Sequence, residues 1–160
     1  MALPPSKKVG AAALIATALA MPMEGLRQVV YKDPVGIPTV CFGTTGKDVI
    51  QGKFYSVPEC KALLNERMLQ AATEVDNCAP DAPPMVLAAF SDAAYNIGSK
   101  IACDSKRSGA ARALKKKDWV RACQELLKWD KATYHGVTMS LPGLTKRREA
   151  EYQICMKGFS

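Results

Sequence analysis

Glu24-Gly25-Leu26-Arg27, followed after three residues by Tyr31-Lys32-Asp33-Pro34-Val35-Gly36-Ile37-Pro38-Thr39-Val40-Cys41-Phe42-Gly43, is the stretch from which the fold is read. Residues 24–33 form a short amphipathic stretch that ends at a turn. Val35 to Phe42 carries Gly36, Pro38 and β-branched residues, which predicts short strands and a hairpin. Gly43 to Gly52 reads as loop. Two carboxylates, Glu24 and Asp33, flank the turn. Cleavage of a glycosidic bond needs a protonated acid on the leaving oxygen and usually a second carboxylate. Glu and Asp at this separation also occur by chance, so spacing leaves open the reading as two surface carboxylates.

Outward toward the C-terminus the pattern becomes helical. Ser56-Val57-Pro58-Glu59 is a helix start, with a Ser cap, an early Pro and a Glu three residues on. Leu63, Leu64, Met68, Ala71, Ala72 and Val75 continue at helical spacing to about Asn77. Met85 to Ile97 is nearly all apolar, with Ser91, Asp92 and Asn96 the polar exceptions, and predicts a central buried helix. Shorter helices follow near 107–116 and 118–128, and a last one spans roughly Leu144 to Met156. No internal repeat or low-complexity linker interrupts them. The expected fold is α+β and predominantly helical. A small β lobe leads through a long connecting helix to a helical lobe, with a cleft between them suited to an extended polymer.

The first stretch closely resembles the active-site region of phage lysozymes, the endolysin family of T-even and lambdoid type. That family shows Glu, eight residues, Asp or Cys, five residues, then Thr; Glu24, Asp33 and Thr39 fall at those spacings. Ala94-Tyr95-Asn96-Ile97-Gly98, Ala122-Cys123-x-x-Leu126-x-x-Trp129 and Gly143-Leu144-x-x-Arg147-Arg148-x-Ala150-Glu151 resemble its later helices, so the likeness covers about residues 24–157. It implies a lysozyme-like two-lobed fold and hydrolysis of the β-1,4 bond between N-acetylmuramic acid and N-acetylglucosamine, lysing the host for phage release. On this resemblance Glu24 is the general acid, its pKa raised by apolar neighbours. Asp33 stabilises the oxocarbenium-like transition state or orients water, and Thr39 holds the nucleophilic water. The family is generally described as inverting. Thr44 departs from the pattern, because many relatives have His after the Gly.

Composition bounds the alternatives. The chain has 160 residues, 48% of them hydrophobic and 23% charged, which excludes disorder and a polytopic membrane protein. Lys plus Arg number 22 against 15 acids, a formal net charge of +7 that attracts polyanions. The basic runs Lys115-Lys116-Lys117 and Lys146-Arg147-Arg148 are short and lack interleaved aromatics, so no nucleic-acid groove is expected. The preferred reading of each run is a solvated helix face. Six cysteines without a CxxC pair, and His135 as the one histidine, argue against a metal site. Disulfides in an oxidising compartment fit better. Six Cys allow 15 pairings. An unbroken helix excludes Cys60–Cys78, about 27 Å apart; Cys103–Cys123, on adjacent helices, is the preferred pair. No cofactor is expected, and the chain is read as a monomer.

Other residues carry two readings each. Asn96 touches substrate, or caps its helix and bonds within the lobe. Arg147 and Arg148 pair with acids or bind the wall. Trp119 and Trp129 read as core rather than sugar platforms, and His135 as a loop residue.

At the N-terminus, Lys7-Lys8 precede the uncharged run Val9 to Met23. This is an export pattern, yet shorter than the ~20 residues that span a bilayer comfortably. Ala18-Leu19-Ala20 resembles a cleavage site, but cleavage would leave Glu24 near a frayed terminus. A cleaved signal, a membrane anchor and a buried helix all remain open from the residues alone. Residues 1–23 resemble the signal-anchor-release segment of some endolysins. That implies an uncleaved segment which exports residues 24–160, the catalytic domain, to the periplasm and tethers them to the inner membrane through residues 9–23 until release. The segment has no Cys, so disulfide exchange cannot involve it. Two other functions fit parts of the sequence: a lytic transglycosylase cutting the same bond with one Glu, and a non-catalytic cationic protein that disrupts membranes.

Overall fold

A computed structural model describes residues 5–159. The first four residues of the 1–23 segment lie outside the described residues. Among the described residues seven α-helices, a short 3-10 helix (Gly46–Asp48) and two two-stranded sheets follow one another along the chain. α1 (Lys7–Glu24) precedes the hairpin of β1 (Arg27–Lys32) and β2 (Pro38–Cys41). α2 (Val57–Cys78) then leads to α3 (Pro84–Ile97), α4 (Lys100–Cys103), α5 (Gly109–Lys115) and α6 (Trp119–Leu126). A second hairpin, β3 (Lys131–Tyr134) and β4 (Val137–Ser140), precedes α7 (Pro142–Lys157).

α1 starts where Ser6 accepts a hydrogen bond from the Val9 amide at 3.1 Å. Its packed face is Val9, Ala12, Ala13, Ala16, Thr17 and Ala20, all buried. The spacing is that of one helical stripe, and the residues are small, so α1 lies close on α3 and α2. Thr17 satisfies its hydroxyl on the Ala13 carbonyl (2.7 Å) and accepts from Asn65 of α2 (3.2 Å). Thus, among the three N-terminal readings, this arrangement is that of a buried helix. Among the described residues no helix is long and apolar enough to cross a membrane.

α2 begins on the expected capping box, with Ser56 and Glu59 bonded reciprocally. It runs one residue past the expected end and joins the β lobe to the helical lobe. α3 is the axis of the helical lobe. Val86 through Ala94 are buried without a break, and α1, α2 and α7 pack around them.

Three disulfides join Cys41–Cys60, Cys78–Cys103 and Cys123–Cys155, with Cα separations of 4.9, 5.3 and 5.7 Å. The expected Cys103–Cys123 bridge is corrected. Cys103 ends α4, which folds back on the end of α2, whereas Cys123 faces α7. Cys60 and Cys78 do stand at opposite ends of α2.

The second hairpin is absent from the sequence expectation, which placed only His135 in a loop. His135 (φ 50°) and Gly136 (φ 76°) form its two-residue turn, and two positive φ values in succession suit a type I′ connection. Trp119 and Trp129 are partly buried against the core, as expected.

Candidate active site

Glu24 is the last residue of α1, and Gly25 (φ 72°) turns the chain into β1. The Glu24 Oε1 accepts from Arg147 Nη1 at 2.5 Å. Arg147, near the start of α7, also grips Asp92 of α3 with two bonds, Nε to Oδ2 at 2.9 Å and Nη2 to Oδ1 at 2.8 Å. Arg147 is 4% exposed and Asp92 fully buried. Burial opposes the Arg147 charge, but the hydrogen bonds and charge of Asp92, then of Glu24, outweigh it and hold the guanidinium above its ordinary pKa. Three helices therefore fix one carboxyl through one guanidinium. The second oxygen of Glu24 has no hydrogen bond among the described residues.

Behind Arg147 the polar chain continues. Arg148 Nη2 donates to Asn96 Oδ1 (2.7 Å) and to Glu151 Oε1 (2.8 Å). Glu151 is fully buried. Burial, then its hydrogen bond to Asp92 and the Asp92 charge, push its carboxyl far above the carboxylate range, against the opposing pull of Arg148. Arg147 and Arg148 thus pair with acids, one of their two expected roles.

Two hollows flank Glu24. One, about 300 Å3, is lined by Gly43, Thr44, Thr45, Arg67, Tyr95 and Asn96. The other, about 540 Å3, lies between Pro22, Met23, Leu141, Leu144 and Arg147. Asn96 borders both. Gly43 (φ 86°) brings its backbone beside Glu24; a Cβ built there would stand 3.5 Å from Oε2. The Tyr95 hydroxyl donates to the Phe42 carbonyl at 3.2 Å. Burial first, and the Glu24 charge second, push its pKa up to about 12, so it stays a neutral donor. Thr44 Oγ1 is buried without a partner among the described residues. Around the carboxyl stand a guanidinium, a phenol and a backbone turn on one side, and the apolar Pro22, Met23, Leu141 and Leu144 on the other. A larger hollow of about 730 Å3, near Ser6, Val9 and Leu69, lies at the far end of α1; it is bordered by Glu66, Glu74 and Asp76 but by no guanidinium or phenol.

Asp33 and Thr39 sit elsewhere on the hairpin. Asp33 Oδ1 accepts from the Val35 and Ile37 amides, both at 2.9 Å, and so shapes the β1–β2 turn. Thr39 is buried, pairs with Tyr31 across the sheet and donates its hydroxyl to the Ile37 carbonyl at 2.9 Å. Neither lines a hollow at Glu24. The sequence reading did not single out Asp92, Tyr95, Arg67 or Glu151 as site residues. Asp92 carried a usable signal, since a carboxylate inside an apolar helix must find a cation or a proton.

A carboxyl held by one oxygen and open at the other, between two hollows, is equipped to pass a proton to a bound polymer. The comparisons agree with that chemistry. Residues 21–151 match the family described as Phage lysozyme. The chain is 38% identical over 137 residues to the SAR-endolysin of Bacteriophage PS119, covering 85% of this chain and 78% of the relative. Its fold is similar to the active form of P1 phage endolysin Lyz, with a TM-score of 0.75 and 22% identity over 99% of this chain and 98% of that one. Against the secreted inactive form of Lyz the TM-score is 0.55, at 20% identity over 98% of each chain. The chain belongs to the phage lysozyme family.

Proposed function

We propose that this endolysin hydrolyses the β-1,4 bond between N-acetylmuramic acid and N-acetylglucosamine in peptidoglycan, with Glu24 as general acid. The observation that carries this reading is the Glu24 carboxyl itself. Arg147 holds one oxygen, and the other opens onto the hollow bordered by Asn96, Tyr95 and the unpartnered Thr44 hydroxyl. A glycan laid across both hollows would set its glycosidic oxygen against the open oxygen of Glu24. The proton then moves from the Glu24 carboxyl to the leaving oxygen as the C–O bond breaks. Asp33 supports the positive charge that develops on the sugar ring or orients water, and Thr39 holds the attacking water. Thr39 pairs with Tyr31, two residues before Asp33, so the same hairpin carries both.

Residues 1–23 act as a reversible anchor that exports residues 24–160 to the periplasmic face and tethers them to the inner membrane. The name of the phage PS119 relative, a SAR-endolysin, supports this, as do the positive flank and short uncharged run. The enzyme then works once α1 has left the bilayer and packed on α3, because only there does Arg147 meet Glu24.

Purified cell wall digested by wild type and Glu24→Gln tests the reading. A folded Glu24→Gln protein should have no detectable turnover, since the amide has no proton to give. Wild-type products should carry new reducing ends of inverted configuration. Near-wild-type turnover by Glu24→Gln overturns the acid assignment, and anhydro-sugar products would make the enzyme a lytic transglycosylase.

A further inference from the structure

We infer that a cationic face of the helical lobe docks the protein on an anionic phospholipid surface and leaves the Glu24 cleft turned away from it. Residues 100–131 carry ten Lys or Arg against four Asp or Glu, while the rest of the chain carries twelve against eleven. The net charge is therefore a local property. All ten cations are exposed. Each of the four acids is already engaged, two of them inside the fold. Glu125 and Asp130 are buried, Asp104 accepts the amides of Lys106 and Arg107, and Asp118 caps α6.

The cations also converge. Arg112, Lys116 and Arg121 line one hollow of about 290 Å3 with Asp118 and Glu125, three cations to two carboxylates. Glu125 Oε1 accepts from Arg121 at 2.9 Å and Lys128 at 2.8 Å. Arg112 Nη1 bonds the carbonyls of Ser105 and Lys106, which brings Lys106 and Arg107 to the same rim. Around one buried carboxylate the surface thus offers several exposed cations.

Placement decides which polyanion fits. Lys117 pairs with Asp81 at 3.2 Å. Lys8, at the start of α1, bonds the Pro80 carbonyl at 2.6 Å and Asp76 at 2.8 Å. The cationic turn therefore shares the α2–α3 link with the N-terminal end of α1. Both α1 and α3 run from that end to the cleft, where they finish near Glu24 and Asn96. The length of α3 alone is ~21 Å at ~1.5 Å per residue. A wall strand gripped by this face would be held at the wrong end of the molecule. A membrane gripped by it leaves the cleft pointing outward, and Lys7, exposed beside the paired Lys8, adds charge on the same side. Phosphodiester headgroups supply the negative surface, and each Lys or Arg near it strengthens binding by roughly fivefold. The outward direction of the cleft rests on the assignment of the active site to Glu24; the lipid binding does not.

Cosedimentation of the full chain with vesicles of phosphatidylcholine, alone or mixed with phosphatidylglycerol, tests this. Wild type should bind the mixed vesicles far better than the neutral ones, and salt should weaken the binding. Lys106→Gln/Arg107→Gln/Lys116→Gln should lose on the order of 100-fold in affinity. Lys32→Gln/Lys47→Gln/Lys61→Gln, with the same change in charge on the other lobe, should change it by no more than a few-fold. Vesicle-bound wild type should hydrolyse soluble wall fragments as fast as free protein. Equal losses in the two triple variants, equal binding to neutral vesicles, or a preference for purified wall over mixed vesicles would overturn the docking face. Silencing of hydrolysis on vesicles while Ala13 and Ala16 of α1 keep the amide-exchange protection of the free protein would overturn the orientation. Inactivity of the free protein would instead count against the Glu24 assignment and leave the vesicle result standing.

Discussion

Two pairs of Ala→Leu substitutions in α1 separate its membrane affinity from its packing. Ala11 and Ala18 are exposed, whereas Ala12 and Ala16 are fully buried. Each substitution adds three carbons, worth about 2.4 kcal/mol in lipid at ~0.8 kcal/mol per CH2. Each pair therefore gains about 5 kcal/mol, more than a thousandfold in partition. On the folded enzyme the pairs differ. Ala11→Leu/Ala18→Leu meets solvent. Ala12→Leu/Ala16→Leu drives side chains into α3 and α2, where overpacking costs about 1–3 kcal/mol per site. Both pairs should delay release in cells, read as enzyme retained in the membrane fraction. After detergent extraction and purification, the outward pair should digest wall at the wild-type rate. The inward pair should be slower by tenfold or more, because an undocked α1 leaves Glu24 without Arg147. Full activity in the purified inward pair would refute the dependence of the site on α1 docking. Unchanged fractionation of the outward pair would show that the segment is no reversible anchor.

Arg147→Met should strand the buried charge of Asp92 and cost about 3–5 kcal/mol, measured by denaturant unfolding, with Arg147→Met/Asp92→Asn recovering part of the loss. Asp33→Asn keeps the acceptor that bonds Val35 and Ile37 but removes the charge. If the charge matters to catalysis it should lose most wall hydrolysis at unchanged Tm; wild-type hydrolysis would leave Asp33 as a turn former alone. Glu151 has a raised folded pKa, so its share of stability is full below the unfolded carboxylate value and is lost as pH rises through the folded one. Glu151→Gln mimics the protonated acid, and its Tm should therefore fall less than that of wild type between mildly acidic and alkaline buffer; parallel curves would mean Glu151 is ionised in the fold.

Local rules made much of this fold legible. The capping box at Ser56–Glu59 and the apolar run from Met85 to Ile97 each fix an element through neighbours in sequence, and α2 and α3 appear within a residue or so of their expected limits. Long-range partners were not legible. Which cysteine meets Cys103 depends on α4 folding back, and no helical periodicity reports that. The β3–β4 hairpin was missed because its strands are four residues each and mostly exposed, so burial left no core stripe. Thr-Tyr-His-Gly-Val-Thr nevertheless has β-branched residues around an X-Gly turn, a usable hairpin mark. Of the site, Glu24 was readable from the motif. Its partner lies 123 residues away, and the choice of Arg147 over Arg148 is made by how α7 lies on α3.

The three disulfides span 19, 25 and 32 residues, and the earliest begins at Cys41. All of α1 therefore stands outside the cross-linked loops. A cross-link lowers the entropy of the unfolded chain only within the loop it closes. Oxidation should thus lengthen the lifetime of the scaffold and leave the balance between docked and undocked α1 untouched. Durability and timing are two separate variables in this chain: redox chemistry sets how long the enzyme lasts, and the first helix sets when it begins to work.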